Sequence, residues 1–145
     1  MSQWTATARA NATPCEVLAV LTHPEKIRRW SPVDFDLDLD GRRLAAGTRG
    51  RVTGKVAGVR VGFDVEVHAA DEAGLELSAE GPIAFDVRYR LSPGESGSEL
   101  SASVSLRRSG GLTGRLVANA TAALLSAGAL EGAAGRIALA AEARD

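Results

Sequence analysis

Residues Ser98 to Leu125 read SELSASVSLRRSGGLTGRLVANATAALL, and their hydrophobic period changes at Ser109-Gly110-Gly111. Before that hinge, Leu100, Ala102, Val104 and Leu106 alternate with polar residues, the two-residue period of a strand with one buried face. After it, Leu112, Leu116, Ala120 and Ala123 fall at three- and four-residue steps, the period of a helix. The steps continue through Ala127, Leu130, Ala134, Ile137 and Ala141, a single stripe about thirty residues long. Gly128, Gly132 and Gly135 weaken that helix, each costing roughly 0.8–1.0 kcal/mol relative to Ala. A strand that runs straight into a long amphipathic helix poses one question: which apolar surface does the helix cover?

The upstream chain supplies that surface. QWTATARA (Gln3–Ala10) alternates and predicts a first strand. In TPCEVLAVL, Thr13 is a helix cap, Pro14 the first helical residue and Glu16 the partner that closes a capping box. THPEKIRRW repeats the signal from Pro24 and predicts a second short helix ending before Ser31-Pro32. Next comes DFDLDLDG, Asp34 to Gly41, whose Asp36, Asp38 and Asp40 are spaced like the front of a calcium loop. Such a loop needs a bidentate glutamate at its twelfth position. Counted from Asp36 that position is Gly47, and Arg42 and Arg43 would repel a dication. Val33, Phe35, Leu37 and Leu39 alternate with the aspartates instead, so the stretch reads as a half-buried strand closed by an Asp-Gly turn.

Five more alternating runs follow: GRVTGKV, VRVGFDVEV, LELSAE, IAFDVRYRL and ELSASVSLR. Turn-forming clusters such as Asp71–Gly74 and SPGESGS separate them. Connections this short wire an antiparallel meander. The order is therefore one strand, two short helices, six strands and one long helix. A sheet with one apolar face must bury it, and the terminal helix is the one element large enough. The sheet is expected to curl around it.

Composition bounds the function. A chain of 145 residues is expected to be one domain. Lys and Arg total 17 against 18 Asp and Glu, so no net field draws nucleic acid or an anionic membrane to it. Arg supplies nearly all the positive charge, and with abundant Ala and Gly this suggests a bacterial source. Cys15 stands alone, which leaves no internal disulfide and no multi-cysteine metal site. MSQWTATARA lacks the pattern of a signal peptide. The uncharged stretch Leu116 to Leu130 is too short and too rich in small residues to span a bilayer. The expectation is a soluble, cytoplasmic protein with no stable membrane insertion.

Several collinear stretches resemble the START/SRPBCC superfamily, the helix-grip fold of birch-pollen-type allergens, polyketide cyclases and lipid-transfer domains. PCEVLAVLTHPEKIRRW is similar to its helix, Pro-Glu step and Trp, and LAAGTRGRV to its Gly-Thr lead into the next strand. The stretch quoted at the outset resembles its last strand and hinge, and LEGAAGRIALAAE its helix end. The resemblance covers most of the chain. It implies an α+β helix-grip domain over residues 1–145, with a curved antiparallel seven-stranded sheet around a long C-terminal helix and two short helices after the first strand. It also implies a cavity between sheet and helix for an apolar small molecule: a lipid, polyketide or terpenoid.

The strand faces predict the cavity wall. Trp30, Phe35, Val52, Val56, Phe63, Val65, Phe85 and Tyr89 are the candidates from the sheet side. Leu116, Asn119, Ala120 and Ala123 are those from the helix. A lining this apolar suits binding rather than catalysis, so no catalytic residue, metal or cofactor is expected. Two readings of Tyr89 stand together: a group that orients or protonates a ligand carbonyl, or a core tyrosine whose hydroxyl reaches water or backbone. Trp30 either touches ligand at the cavity mouth or staples the short helices to the core. Asn119 flanks the helical stripe and could meet a ligand head group. His23 and His68 lack a second ligand at metal spacing, and Cys15 lacks an oriented base. Arg49, Arg51, Lys55, Arg60, Arg88 and Arg90 are interleaved with Asp64, Glu66, Glu76 and Asp86. That pattern fits cross-strand ion pairs better than a nucleic-acid surface. Gly50 and Gly54 either widen the cavity or let the elements approach closely. Hydrophobic-ligand binding, with transport as its extension, is the leading expectation. A polyketide cyclase or aromatase, and an interaction module with a vestigial cavity, are the alternatives.

Overall fold

A computed structural model describes residues 3–31, 35–39, 41–56, 58–95 and 97–142. Val33, Asp34 and Asp40, read above as part of the aspartate strand and its turn, lie outside them, as does the Val56 side chain. The strands are β1 (Gln3–Ala10), β2 (Phe35–Leu39), β3 (Arg49–Val56), β4 (Val59–Asp71), β5 (Gly74–Glu80), β6 (Ile83–Gly94) and β7 (Gly97–Ser109). The helices are α1 (Pro14–Thr22), α2 (Pro24–Trp30), α3 (Gly111–Ser126) and α4 (Ala129–Glu142).

All seven strands form one antiparallel sheet in the order β1-β7-β6-β5-β4-β3-β2. From β2 to β7 each strand pairs with the next, while β1 crosses to the far edge beside β7. The two short helices make that crossing. The Thr13 hydroxyl accepts from the Glu16 amide (3.2 Å), and the Glu16 carboxylate accepts from the Thr13 amide (3.0 Å). Both arms of the capping box therefore form, and they fix where the chain leaves β1.

Bends in the sheet have local causes. The ladder slips between Val67 and Ala69 and again between Ala84 and Phe85, and such irregularities increase twist and curvature. Gly50 marks a close approach rather than a cavity wall. A Cβ there would lie 2.6 Å from Leu39 Cδ2 and 2.8 Å from the Asp38 carbonyl oxygen. The outer face carries the expected cross-strand ion pairs, Arg51–Asp64 and Arg88–Glu76, each at 2.8 Å. All four side chains are exposed, so each pair adds well under about 1 kcal/mol.

The helix-grip architecture holds, but the terminal helical stretch is not one rod. Gly128 adopts φ +100°, a left-handed conformation that glycine enters without steric cost. α3 ends there, and α4 restarts at an angle of 60°. The continuous stripe read from the sequence assumed unbroken helical phase across this point. Its second half is correct: Leu130, Ala134, Ile137 and Ala141 are buried, and α4 packs on β1, α1 and α2. Its first half is overturned. Leu112 is 86% and Leu116 48% exposed, whereas Gly114 and Val117 form the buried face of α3.

Two apolar clusters result. The larger gathers α4 and α1 with the inner faces of β1, β5, β6 and β7, including Leu21, Leu75, Leu100 and Ile137. The smaller joins Val61, Phe63, Ala79 and Ile83 to Val117 of α3. Phe85, Val65, Leu77 and Val87 on the sheet are partly buried between them.

Candidate functional site: an apolar cavity under the short helices

That incompletely covered part of the sheet forms the floor of a cavity of about 230 Å³. Its floor is Val52 of β3, Phe63 and Val65 of β4, Leu75, Leu77 and Ala79 of β5, and Phe85, Val87 and Tyr89 of β6. Its roof is Leu21 of α1, Ile27 and Trp30 of α2, Ser31 and Leu44, with Phe35 and Leu37 of β2 at one side.

The roof is tied down by hydrogen bonds. Trp30 Nε1 donates to the Val20 carbonyl (3.0 Å), and Arg136 Nε of α4 donates to the Trp30 carbonyl (3.0 Å). The Leu44 amide donates to the Thr22 carbonyl (2.8 Å), bringing the loop after β2 against the end of α1. Trp30 is thus both a staple and a wall. It is 7% exposed, its N–H is committed to backbone, and its ring meets Tyr89 edge-on with centroids 6.0 Å apart. Phe63 and Phe85 form a second edge-on pair at 5.4 Å.

Of the residues expected at the site, Trp30, Phe35, Val52, Phe63, Val65, Phe85 and Tyr89 surround this one cavity. The Val56 side chain lies outside the described residues. Leu116, Asn119, Ala120 and Ala123 do not line the cavity. The break at Gly128 turns α3 so that Leu116, Asn119 and Ala123 face solvent. The expected location is corrected with them: the cavity lies between the sheet and the short helices, and the described residues of α3 and α4 contribute nothing to its wall. Leu21, Ile27 and Leu44 were not read as wall residues. Leu21 and Ile27 sit in helices too short for their periodicity to define a face, and Leu44 follows two arginines in a loop.

Among the described residues the wall carries no charged side chain, and its polar side chains are those of Ser31 and Tyr89. Tyr89 is 8% exposed, and burial raises its phenol well above the ordinary tyrosine range. It is a neutral O–H donor at any physiological pH, not a base. His23 Nδ1 lies 2.7 Å from the Ala19 carbonyl and His68 Nε2 2.8 Å from Ser78 Oγ. Neither histidine lines the cavity. Among the described residues no group of His, Cys, Asp and Glu is arranged to hold a metal. No single helix among them is long and apolar enough to cross a membrane.

A curved antiparallel sheet, two short helices after its first strand and an apolar cavity beneath them define a helix-grip protein. The chain belongs to the family described as polyketide cyclase/dehydrase and lipid transport, whose pattern matches residues 1–142. No curated protein is detectably similar in sequence. Solved structures share the fold at low identity. TTHA0849 from Thermus thermophilus superposes with a TM-score of 0.73 at 17% identity, over 97% of each chain. Ara h 8.0201 gives 0.63 at 16% identity, over 94% of this chain and 97% of that one. DynU16, a protein of the dynemicin biosynthetic locus, gives 0.58 at 20% identity, over 90% of this chain and 46% of its own.

Proposed function

We propose that the protein binds a hydrophobic small molecule in the cavity beneath α1 and α2, and that carriage of this molecule is its role. One observation carries the reading: a cavity of about 230 Å³ whose described walls are, Ser31 apart, aliphatic and aromatic side chains without a single charge. Ligand sites are mostly apolar with few polar groups, and an empty apolar cavity forfeits contacts that a ligand restores. General acid–base catalysis on a polyketide calls for a His or carboxylate within hydrogen-bond reach of the reacting atoms, and the described wall offers neither. The family's lipid-transport half therefore fits this wall better than its cyclase half. The cross-strand pairing of Arg51 and Arg88 on the outer face supports a reading without a nucleic-acid partner. A cytoplasmic protein without stable membrane insertion completes the reading.

The test is calorimetric titration with 2-ethylnaphthalene, a neutral bicyclic hydrocarbon. One site is expected, with a change in Trp30 emission. Val65→Trp, which fills the cavity from its floor, is expected to weaken binding at least about tenfold while circular dichroism is retained, since a displaced apolar ring forfeits more than about 1.4 kcal/mol. Absence of heat, emission change and thermal stabilisation across neutral hydrocarbons of one to three rings would refute the reading.

A further inference from the structure

Among the described residues the Tyr89 hydroxyl has no hydrogen-bond partner, and the ring contact with Trp30 is the one specific contact this side chain makes there. Yet no side-chain nitrogen or oxygen among those residues is both occluded and unpaired. The oxygen is therefore not sealed off, and Tyr89, 8% exposed and packed edge-on against the cavity-wall residue Trp30, lines the cavity.

The ring is held between neighbours. Trp30 meets it edge-on at 77°, and Leu75 and Ala102 sit beside it in register on the neighbouring strands. Trp30 itself is pinned through Val20. A hydroxyl at an apolar wall finds no acceptor among the side chains around it, and a ligand that accepts from it supplies one. Burial keeps the phenol protonated, so it has a hydrogen to give. Ser31, the other polar residue of the described wall, is already engaged in an interaction of its own.

Size and charge narrow the ligand further. A cavity of roughly 150 Å³ accepts benzene, and drug-sized ligands occupy about 300–1,000 Å³. The volume here, about 230 Å³, lies between them and matches a bicyclic skeleton. The described wall has no cation to meet a carboxylate and no anion to meet an amine, and a buried unpaired charge is prohibitive.

We infer that the ligand is a neutral, bicyclic-sized apolar molecule with one accepting oxygen, a ketone or quinone-type carbonyl, seated on the Tyr89 hydroxyl. The inference rests on the cavity being a binding site, as proposed above, and specifies which chemistry that site selects.

The test compares three probes of one skeleton: 2-acetonaphthone, 2-ethylnaphthalene and 2-naphthoate, titrated into the wild type and Tyr89→Phe. The wild type is expected to bind the ketone about tenfold tighter than the hydrocarbon, the worth of one well-made hydrogen bond, with the naphthoate weakest. In Tyr89→Phe the ketone is expected to lose its advantage over the hydrocarbon. The carbonyl stretch of bound 2-acetonaphthone provides a readout independent of affinity: it falls to lower frequency in the wild type and not in the variant. If the hydrocarbon binds but the ketone has no advantage, or Tyr89→Phe keeps that advantage, the inference fails and the binding reading stands. If none of the three binds, both fail.

Discussion

Val117 and Leu116 are neighbours on α3, and truncating each to alanine asks which face of that helix is inside. In the structure Val117 is 1% exposed within the smaller cluster, and Leu116 is 48% exposed. Val117→Ala removes two buried methyl groups, a loss of about 1.6 kcal/mol at roughly 0.8 per group. Better helix propensity returns about 0.5 kcal/mol, and the hole left against Phe63 and Ile83 adds a cavity penalty of about 1 kcal/mol. The net expectation is a destabilisation of about 2 kcal/mol. Leu116→Ala deletes more carbon, but from a surface position where substitutions usually stay within about 0.5 kcal/mol. Urea unfolding followed by far-ultraviolet circular dichroism gives both numbers, with an unchanged m-value checking that the folded states remain comparable. By thermal melting the two variants should differ by several degrees, at about 2–4 °C per kcal/mol for a chain near this length. The sequence stripe makes the opposite forecast, with Leu116 inside. Equal losses, or a larger loss for Leu116→Ala, would refute the helix phase described here and with it the exclusion of α3 from the cavity.

Four further outcomes are expected. Tyr89→Phe without ligand is neutral or stabilising by up to about 1 kcal/mol, because the hydroxyl it removes has no partner; a loss above that, measured in urea, contradicts the unpaired assignment. The same variant has a pH signature: the folded phenol titrates above its unfolded value, so the contribution of the neutral phenol is intact below about pH 10 and is lost as pH rises beyond it. Stability of the wild type should therefore fall more steeply above about pH 10 than that of Tyr89→Phe, and parallel alkaline limbs would count against the burial. Gly50→Ala, whose new methyl would press on Leu39 and the Asp38 carbonyl, should destabilise by about 1–3 kcal/mol, and an unchanged melt would show that β2 and β3 are farther apart. Thr13→Ala breaks one arm of the capping box and should cost about 1 kcal/mol, read from the same melts.

The strands were legible because period-two alternation in Val59 to Val67 or Ile83 to Leu91 leaves a single consistent inward face, whereas the place of β1 beside β7 is a long-range pairing that alternation does not encode. The first helix was legible because Thr13, Pro14 and Glu16 each have a local role that needs no tertiary partner. The terminal helix was only half legible. Gly128, Gly132 and Gly135 look alike in the sequence, yet Gly128 alone takes the left-handed conformation while the other two stay within α4. α3 is also apolar on opposing sides, with Leu112 and Leu116 on one and Val117 and Leu125 on the other. Periodicity had no means to choose between them. The strand-borne wall residues followed from alternation, whereas Leu44 reaches the cavity through a backbone bond to Thr22, a long-range event that leaves no pattern in neighbouring residues.

The Gly128 break separates two tasks that an unbroken rod would have fused. Helix α4 cements β1 to the crossing helices, while the described cavity wall is supplied by other elements, chiefly the strand interiors and α2. Floor residues of the cavity can therefore change without loosening the C-terminal packing, and α4 reaches the roof through the Arg136 bond to the Trp30 carbonyl. A scaffold divided in this way is well suited to diversification, because the shape of its cavity changes through substitutions at only a few positions, such as Phe35, Val52 or Val65.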